Sequence, residues 1–500
     1  MKSRILLSFA FLMFIQQGLA TVRNVPSTYI TIQSALNASV AGDTVLVQPG
    51  TYHENINWPS VNSIVLLSAG DSSNTIIDAS AAGRVITFNT GAVDTATVIK
   101  GFRITNGRLF STYSNGGGMF FNNSSPMIIE CAITGNRIDS TAQWSYGAGI
   151  YCSYASPVFK KSSITANSTV STSWAYGGGV HCTYNSNAAF YDCIISGNSI
   201  AGNGWAYGAG IYMTQSSSAR LTNTIIRGNH SNDPSRCYGG GLYAESGSSP
   251  VLINVLIAGN VMEGNAIWYY GGGIYFAGSG TNPQLINVTV ANNVRDNGSA
   301  ITGSGIYSSS SSLVTVTNSI LWNDNSGSEI SVSSATVNVN YSCIRNGYAG
   351  TGNISNNPAF FSASDYHLQM SSPCINGGTL AGAPAYDLEG NPRPQPALSN
   401  PDMGCFEVDQ IITQIELQNT LEVSVYPNPV VNELFITGYS QAEISFIEIN
   451  DALGNRLVSL RASDANRTGT SIDFSTFPGG IYFCRIFSGD KSKTVKIIRQ

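Results

Sequence analysis

Apolar residues recur along the middle of the chain in short pulses, and the pulses themselves recur with a long period. From about Asn115 to Asp324 one unit is written seven times, opening on Gly-x-Gly at Gly116, Gly147, Gly177, Gly208, Gly239, Gly271 and Gly303, so the step stays between 30 and 32 residues. Each unit closes on a polar residue: Asn136, Asn167, Asn198, Asn229, Asn260, Asn293 and Asp324. Within a unit the apolar positions favour Ile and Val and are separated by Gly, Ser, Asn and Pro, with no stretch at helical spacing. That pattern predicts short strands. Paired helices of this length would need far more Ala, Leu, Glu and Lys.

A unit of this kind fits one turn of a parallel β-helix, with three short strands per coil and like residues stacked at about 4.8 Å from coil to coil. The columns then have assignable roles. Ile133, Ile164, Ile195, Ile226 and Ile257 form one inward column, and Ile128, Phe159, Phe190, Leu221 and Leu252 another. These two columns lie an odd number of residues apart, so strict alternation cannot bury both, and a corner must shift the phase between them. Asn223, Asn254, Asn287 and Asn318 stand at that corner, where a left-handed backbone is expected. Asp139, Glu263 and Asp296 each follow a closing Asn by three, where unit length varies, so a loop is expected there.

The ends of the chain read differently. Met1 to Ala20 carries Lys2 and Arg4, an apolar run and a Gly-Leu-Ala end, the pattern of a secretory signal peptide cleaved after Ala20. Charged residues make up 11% of the chain, against about 25% in ordinary globular proteins. A net charge of −5 gives no case for nucleic acid or an anionic membrane as partner. The nine cysteines contain no Cys-x-x-Cys. Cys152 and Cys182 occupy neighbouring coils of one column; buried free thiols are the favoured reading and a rung-to-rung disulfide the alternative. His53, His181, His230 and His367 are too dispersed for a metal site, and no cofactor is expected.

Residues 21–107 read as a cap and first coils. Ile30 to Leu36 suits a short amphipathic helix over the open end of the stack. Thr31-Ile-Gln33, Gly42-Asp-Thr-Val45 and the run Gly101 to Gly107 resemble the opening of the pectin-lyase-like, right-handed parallel β-helix superfamily. The regular repeats fill 108–342. In 343–408, Ser372-Pro-Cys-Ile375, Asp387 to Arg393 and Asp402-Met-Gly404 resemble the choice-of-anchor Q segment that closes surface β-helices. Asp387, Glu389, Asp402 and Glu407 are a candidate calcium set, with turn-making carboxylates the favoured alternative. After a linker at 409–420, residues 421–500 hold Tyr426-Pro-Asn-Pro429, Gly454-Asn455, Pro478 to Tyr482 and a basic strand from Lys493 to Arg499. This run resembles a type IX secretion C-terminal sorting domain of type A. The resemblance implies an immunoglobulin-like β-sandwich, engagement of the type IX machinery and display on the outer membrane of a Gram-negative cell. The fold class is therefore all-β, a solenoid followed by a small sandwich.

Candidate chemistry is sparse. Enzymes of the resembled fold gather acids and bases on an outer face, and the coils offer only Glu130, Lys161 and Asp192 in one column. An ion-pair ladder there is the favoured reading, with catalysis the alternative. The aromatics say more. Tyr151, Tyr212, Tyr243 and Tyr275 follow the opening apolar residue and should face solvent by alternation, and Trp144, Trp174, Trp205 and Trp268 precede the glycines. Such a strip either covers the solenoid or stacks on sugar rings. The leading reading is a monomeric, non-catalytic, surface-displayed protein that binds a polysaccharide or cell-surface glycan through this strip. A polysaccharide lyase or glycoside hydrolase is the runner-up, and a structural spacer the third reading.

Overall fold

The computed structural model describes residues 20–91, 93–110, 113–140, 144–233, 235–264, 266–297, 300–323, 327–409, 423–437, 445–461, 469–488 and 491–500. The leader, except for Ala20, and the linker, except for Asp409, lie outside the described residues. The chain divides into two compact units, Met1–Gln410 and Ile411–Gln500.

The first unit is a parallel β-helix. Ile150–Ser153, Val158–Lys160 and Ser163–Thr165 are three strands of one coil. Each pairs in parallel with its counterpart above, placing Val180 on Ile150, Phe190 on Phe159 and Ile195 on Ile164. All six side chains are fully buried, so a slip of one residue would turn every one of them outward. The expected corner is present. Glu130, Lys161, Asp192, Asn223, Asn254, Asn287 and Asn318 all have φ between 49° and 55°, and this single left-handed residue supplies the phase shift between the second and third strands.

The closing asparagines form a buried amide column. Each Nδ2 donates to the Oδ1 of the Asn one coil on, from Asn136 to Asn167 (3.0 Å), then to Asn198 (2.9 Å), Asn229 (3.0 Å) and Asn260 (2.9 Å). Each also donates to an Ile carbonyl of the preceding coil, as Asn198 does to Ile164 at 2.9 Å. Buried polar groups are costly unless paired, and here every one is paired by its own repeat. The seventh rung is Asn323 instead of the expected Asp324, which lies outside the described residues, and Glu329 ends the column by accepting from Asn323 Nδ2 at 2.6 Å. The stacked glycines follow from this column. A Cβ on Gly179 would lie 2.7 Å from the Gly210 carbonyl and 2.9 Å from Asn198 Nδ2.

The expected three strands per coil are too few. After each closing Asn from Asn136 to Asn260 the chain leaves the solenoid and returns as two further strands, such as Ser168–Ser171 and Trp174–Tyr176. These arms stack into a seven-stranded and a six-stranded parallel sheet, a fin with its own small core of Ala175, Ile200, Ala206, Cys237 and Met262. Asp139 and Glu263 therefore sit on strands, where a loop was expected, and Asp296 follows directly on another. Much of the fin core is small, with Ala175, Ala206, Ala209 and Cys237 beside a few larger side chains, which is why its strands carry so weak a hydrophobic signal.

The first coil is capped, and the chain after the last coil folds back on the stack. Helix α1, Ile32–Asn37, buries Ile32, Ala35 and Leu36 and is capped by Thr31 with Ser34. After Cys343–Ile344 the chain has little regular structure and lies along the corner column instead. Asn254 Nδ2 donates to the Tyr386 carbonyl (2.6 Å), Asn287 Nδ2 to Asp402 (3.0 Å) and Asn318 Nδ2 to Thr379 (2.8 Å). The second unit consists of two antiparallel sheets, of three and four strands, around Leu434, Ile436, Ile447, Ile449, Phe474 and Ile486. It has the make-up of a small immunoglobulin-like β-sandwich.

Candidate functional site: a groove between coil and fin

At each Gly-x-Gly the fin meets the solenoid, and the concave side of that junction is lined by aromatic rings. One column projects from the solenoid: Phe120, Tyr151, His181, Tyr212, Tyr243, Tyr275 and Tyr307, with successive centroids 4.7–5.5 Å apart. The other projects from the fin: Tyr146, Tyr176, Tyr207, Tyr238 and Tyr270, at 4.9–5.7 Å. The columns interlock edge to face, as where Tyr207 meets Tyr243 at 5.2 Å and 75°.

This interlocking corrects the expectation that the solenoid tyrosines face solvent. They do point away from the solenoid core, but the fin covers them. Tyr151, Tyr212 and Tyr243 are 9%, 3% and 4% exposed, while Tyr275 is half-buried. Burial lifts the Tyr151 phenol to about 12. Tyr212 and Tyr243 rise well above the ordinary tyrosine value, first through burial and then through the Glu245 carboxylate. Glu245, which stands alone in the sequence, accepts from both phenols, from Tyr243 at 3.1 Å.

The tryptophans lie further out on the same fin face. Trp144, Trp174 and Trp205 are half-buried and stacked at 6.0 and 4.9 Å, with the Arg236 guanidinium 4.7 Å from the Trp205 ring; Trp268 is 45% exposed. Rings stacked at coil spacing leave no room for a sugar between them, so the strip presents edges instead of faces to solvent.

The open part of the junction is a groove of about 370 Å³. Its floor is Tyr151, His181 and Tyr212, and Tyr146 and Tyr176 form the fin-side wall. Thr183, Tyr184, Thr214 and Gln215 line the opposite side. No Lys, Arg, Asp or Glu is among its described lining residues. His181 is 2% exposed, its Nδ1 has no hydrogen-bond partner among the described residues, and burial drops its pKa to about 3, so the ring is neutral at physiological pH. Tyr184 stacks on Tyr154 at 5.0 Å, and both are exposed. The sequence places His181 in the outward column with Tyr151 and Tyr212, but Tyr184 and Gln215 were missed as groove residues. The signal was there in part, since Tyr154 and Tyr184 are spaced by one coil.

The acidic candidates are arranged otherwise than expected. Glu130, Lys161 and Asp192 do share a column and a shallow groove with Asp71. Their ion-pair ladder does not form: Glu130 pairs with Lys100 at 3.3 Å, and Asp192 accepts from Asn223 Nδ2 at 3.1 Å. Lys161 makes no ion pair among the described residues. In the closing segment, each carboxylate oxygen of Asp387, Asp402 and Glu407 accepts at least one N–H, and Arg393 Nε meets Glu407 Oε2 at 2.8 Å. Exposed Glu389 pairs with His367. The oxygens of a candidate calcium set are thus engaged in making turns, and no metal-binding cluster occurs among the described residues.

Residues 133–294 match the family model for the right handed beta helix region, and residues 424–500 match the secretion system C-terminal sorting domain. The chain carries a β-helix and a type IX sorting domain. It is a secreted, cell-surface-anchored protein of a Gram-negative bacterium, and its sorting domain implies interaction with the secretion machinery. Comparison with curated proteins and with solved structures gives no match.

Proposed function

We propose that this surface β-helix binds a neutral glycan non-catalytically, along the groove between coil and fin. The supporting observation is the groove itself: an aromatic floor and wall opposite hydroxyl and amide side chains, with no charge among the described lining. Sugars without carboxylate or sulfate groups are recognised by that combination, in which apolar ring edges meet directed hydrogen-bond donors and acceptors. His181 Nδ1 adds a buried hydrogen-bonding atom awaiting a partner. Contact is through ring edges and hydroxyls, because the ring faces are occupied by one another. Floor and wall draw on strands of adjacent coils, so the groove runs along the stack and suits a linear chain. The protein acts as a monomer, and by its resemblance the choice-of-anchor Q segment ends the stack ahead of the sorting domain. A glycan array probed with the secreted protein tests this reading. Binding confined to uncharged glycans is expected; binding only to acidic glycans, or to none, would refute it.

One observation favours a second reading. Glu130, Lys161 and Asp192 converge with Asp71 on one groove of about 440 Å³, as a polysaccharide lyase or glycoside hydrolase would require. Release of reducing or unsaturated ends, lost in Lys161→Ala, would establish it.

A further inference from the structure

The last solenoid strand, Cys343–Ile344, is followed by a segment that has no ladder of its own and must be fastened by other means. Two thiols meet at that fastening. Cys343 and Cys374 are both fully buried in one cluster with Ile320, Leu368 and Met403. The two thiols are neighbours in this cluster, and Cys343 Sγ donates to the Asn356 carbonyl at 3.2 Å. The backbone is pinned on each side of the contact. Cys343 N donates to the Ser319 carbonyl at 2.8 Å, and the Cys374 carbonyl accepts from Met403 N at 3.0 Å. Both residues are thiols in the structure. An exported protein, however, passes through and resides in compartments where disulfides form and persist.

We propose that Cys343 and Cys374 are oxidised to a disulfide in the exported protein, locking the closing segment onto the last coil. Both S–H bonds break and one S–S bond forms. The two electrons and two protons pass to a protein disulfide, which leaves as its dithiol. Contact with Cys374 and burial both hold the Cys343 thiol well above its ordinary pKa, which makes it a poor nucleophile once packed. Exchange therefore takes place while the segment docks.

Cys152 and Cys182 are likewise neighbouring thiols, but both sit on a ladder. They are in-register partners in adjacent strands. Their Cβ atoms are held near the strand spacing of about 4.8 Å. A disulfide draws its Cβ atoms to about 3.5–4.5 Å, so that pair would have to distort its ladder. Cys374 sits on no strand and is free of that constraint.

The test is to quench the full secreted protein in acid, denature it and alkylate it with and without prior reductant, then map the peptides. Cys343 and Cys374 should resist alkylation until reduced and should appear as one cross-linked peptide pair. Cys343→Ser should leave Cys374 alkylated without reductant. Quantitative alkylation of both cysteines in unreduced wild-type protein, or a cross-link of either one to a different cysteine, would overturn the proposal.

Discussion

Two sets of columns run along the same coils of this protein and are held by different means. The inward columns, such as Phe159 on Phe190 and Ile164 on Ile195, are buried because the coil closes around them. The outward columns, such as Tyr212 on Tyr243, are buried only because a second structure, the fin, stands over them. Both obey the same stacking rule, yet the first makes the fold and the second makes a groove. A solenoid acquires a binding surface when its outward columns are walled in on one side and left open on the other.

The comparison can be pressed by substitution. Phe190→Ala, which opens a cavity in the coil interior, should cost about 3–5 kcal/mol, read as a fall in the urea midpoint. Asn198→Ala should follow at about 2–4 kcal/mol, because it strands the Asn167 amide and frees the Ile164 carbonyl in a buried column. Tyr207→Ala, in the fin column that covers the outward one, should cost less, about 1–3 kcal/mol, since it removes two stacked neighbours at an edge that water can reach. A cost equal to that of Phe190→Ala would mean that the fin is as much core as the coil.

The smallest effect lies in the closing segment. His367 Nδ1 meets Asp365 Oδ1 at 2.6 Å and Nε2 meets Glu389 Oε2 at 3.2 Å. Burial opposes its charge, but the two carboxylates prevail and its pKa is raised above 6.5. A raised value means the folded protein binds the proton more tightly. The stabilisation is complete below the ordinary histidine value and is lost as pH rises through the folded one. With all three groups partly exposed, solvent screening keeps this under about 1 kcal/mol. The unfolding midpoint should fall slightly between about pH 6 and 8, and His367→Gln should reduce that dependence, leaving the part due to Asp402, whose carboxyl burial raises to about 7.

The coil itself was legible in the sequence because its columns are large and aliphatic and its corner residues tolerate a left-handed backbone. The period, the inward columns, the Asn corner and the capping helix all follow from residue type. The fin was not legible, because Ala175, Ala206 and Cys237 make a core too small to register as apolar alternation. Without the fin, outward tyrosines such as Tyr151 read as solvent-facing, and the groove could not be drawn. The closing segment was also hidden. It docks through side-chain amides of Asn254, Asn287 and Asn318 onto backbone carbonyls, and a carbonyl leaves no mark on sequence. The aromatic strip is legible too, but sequence leaves open whether its faces meet sugars or one another, and in the structure they meet one another.

Retention on an insoluble neutral polysaccharide tests the groove most directly, comparing the secreted wild type with Trp174→Ala/Trp205→Ala and with Tyr184→Ala. The two variants trim the outer fin face beside the groove and the groove's opposite rim while leaving the buried columns in place. Loss of retention in both, with the far-UV circular dichroism unchanged, is the expected result. Full retention in both variants, or a wild type that binds no neutral polysaccharide, would contradict it.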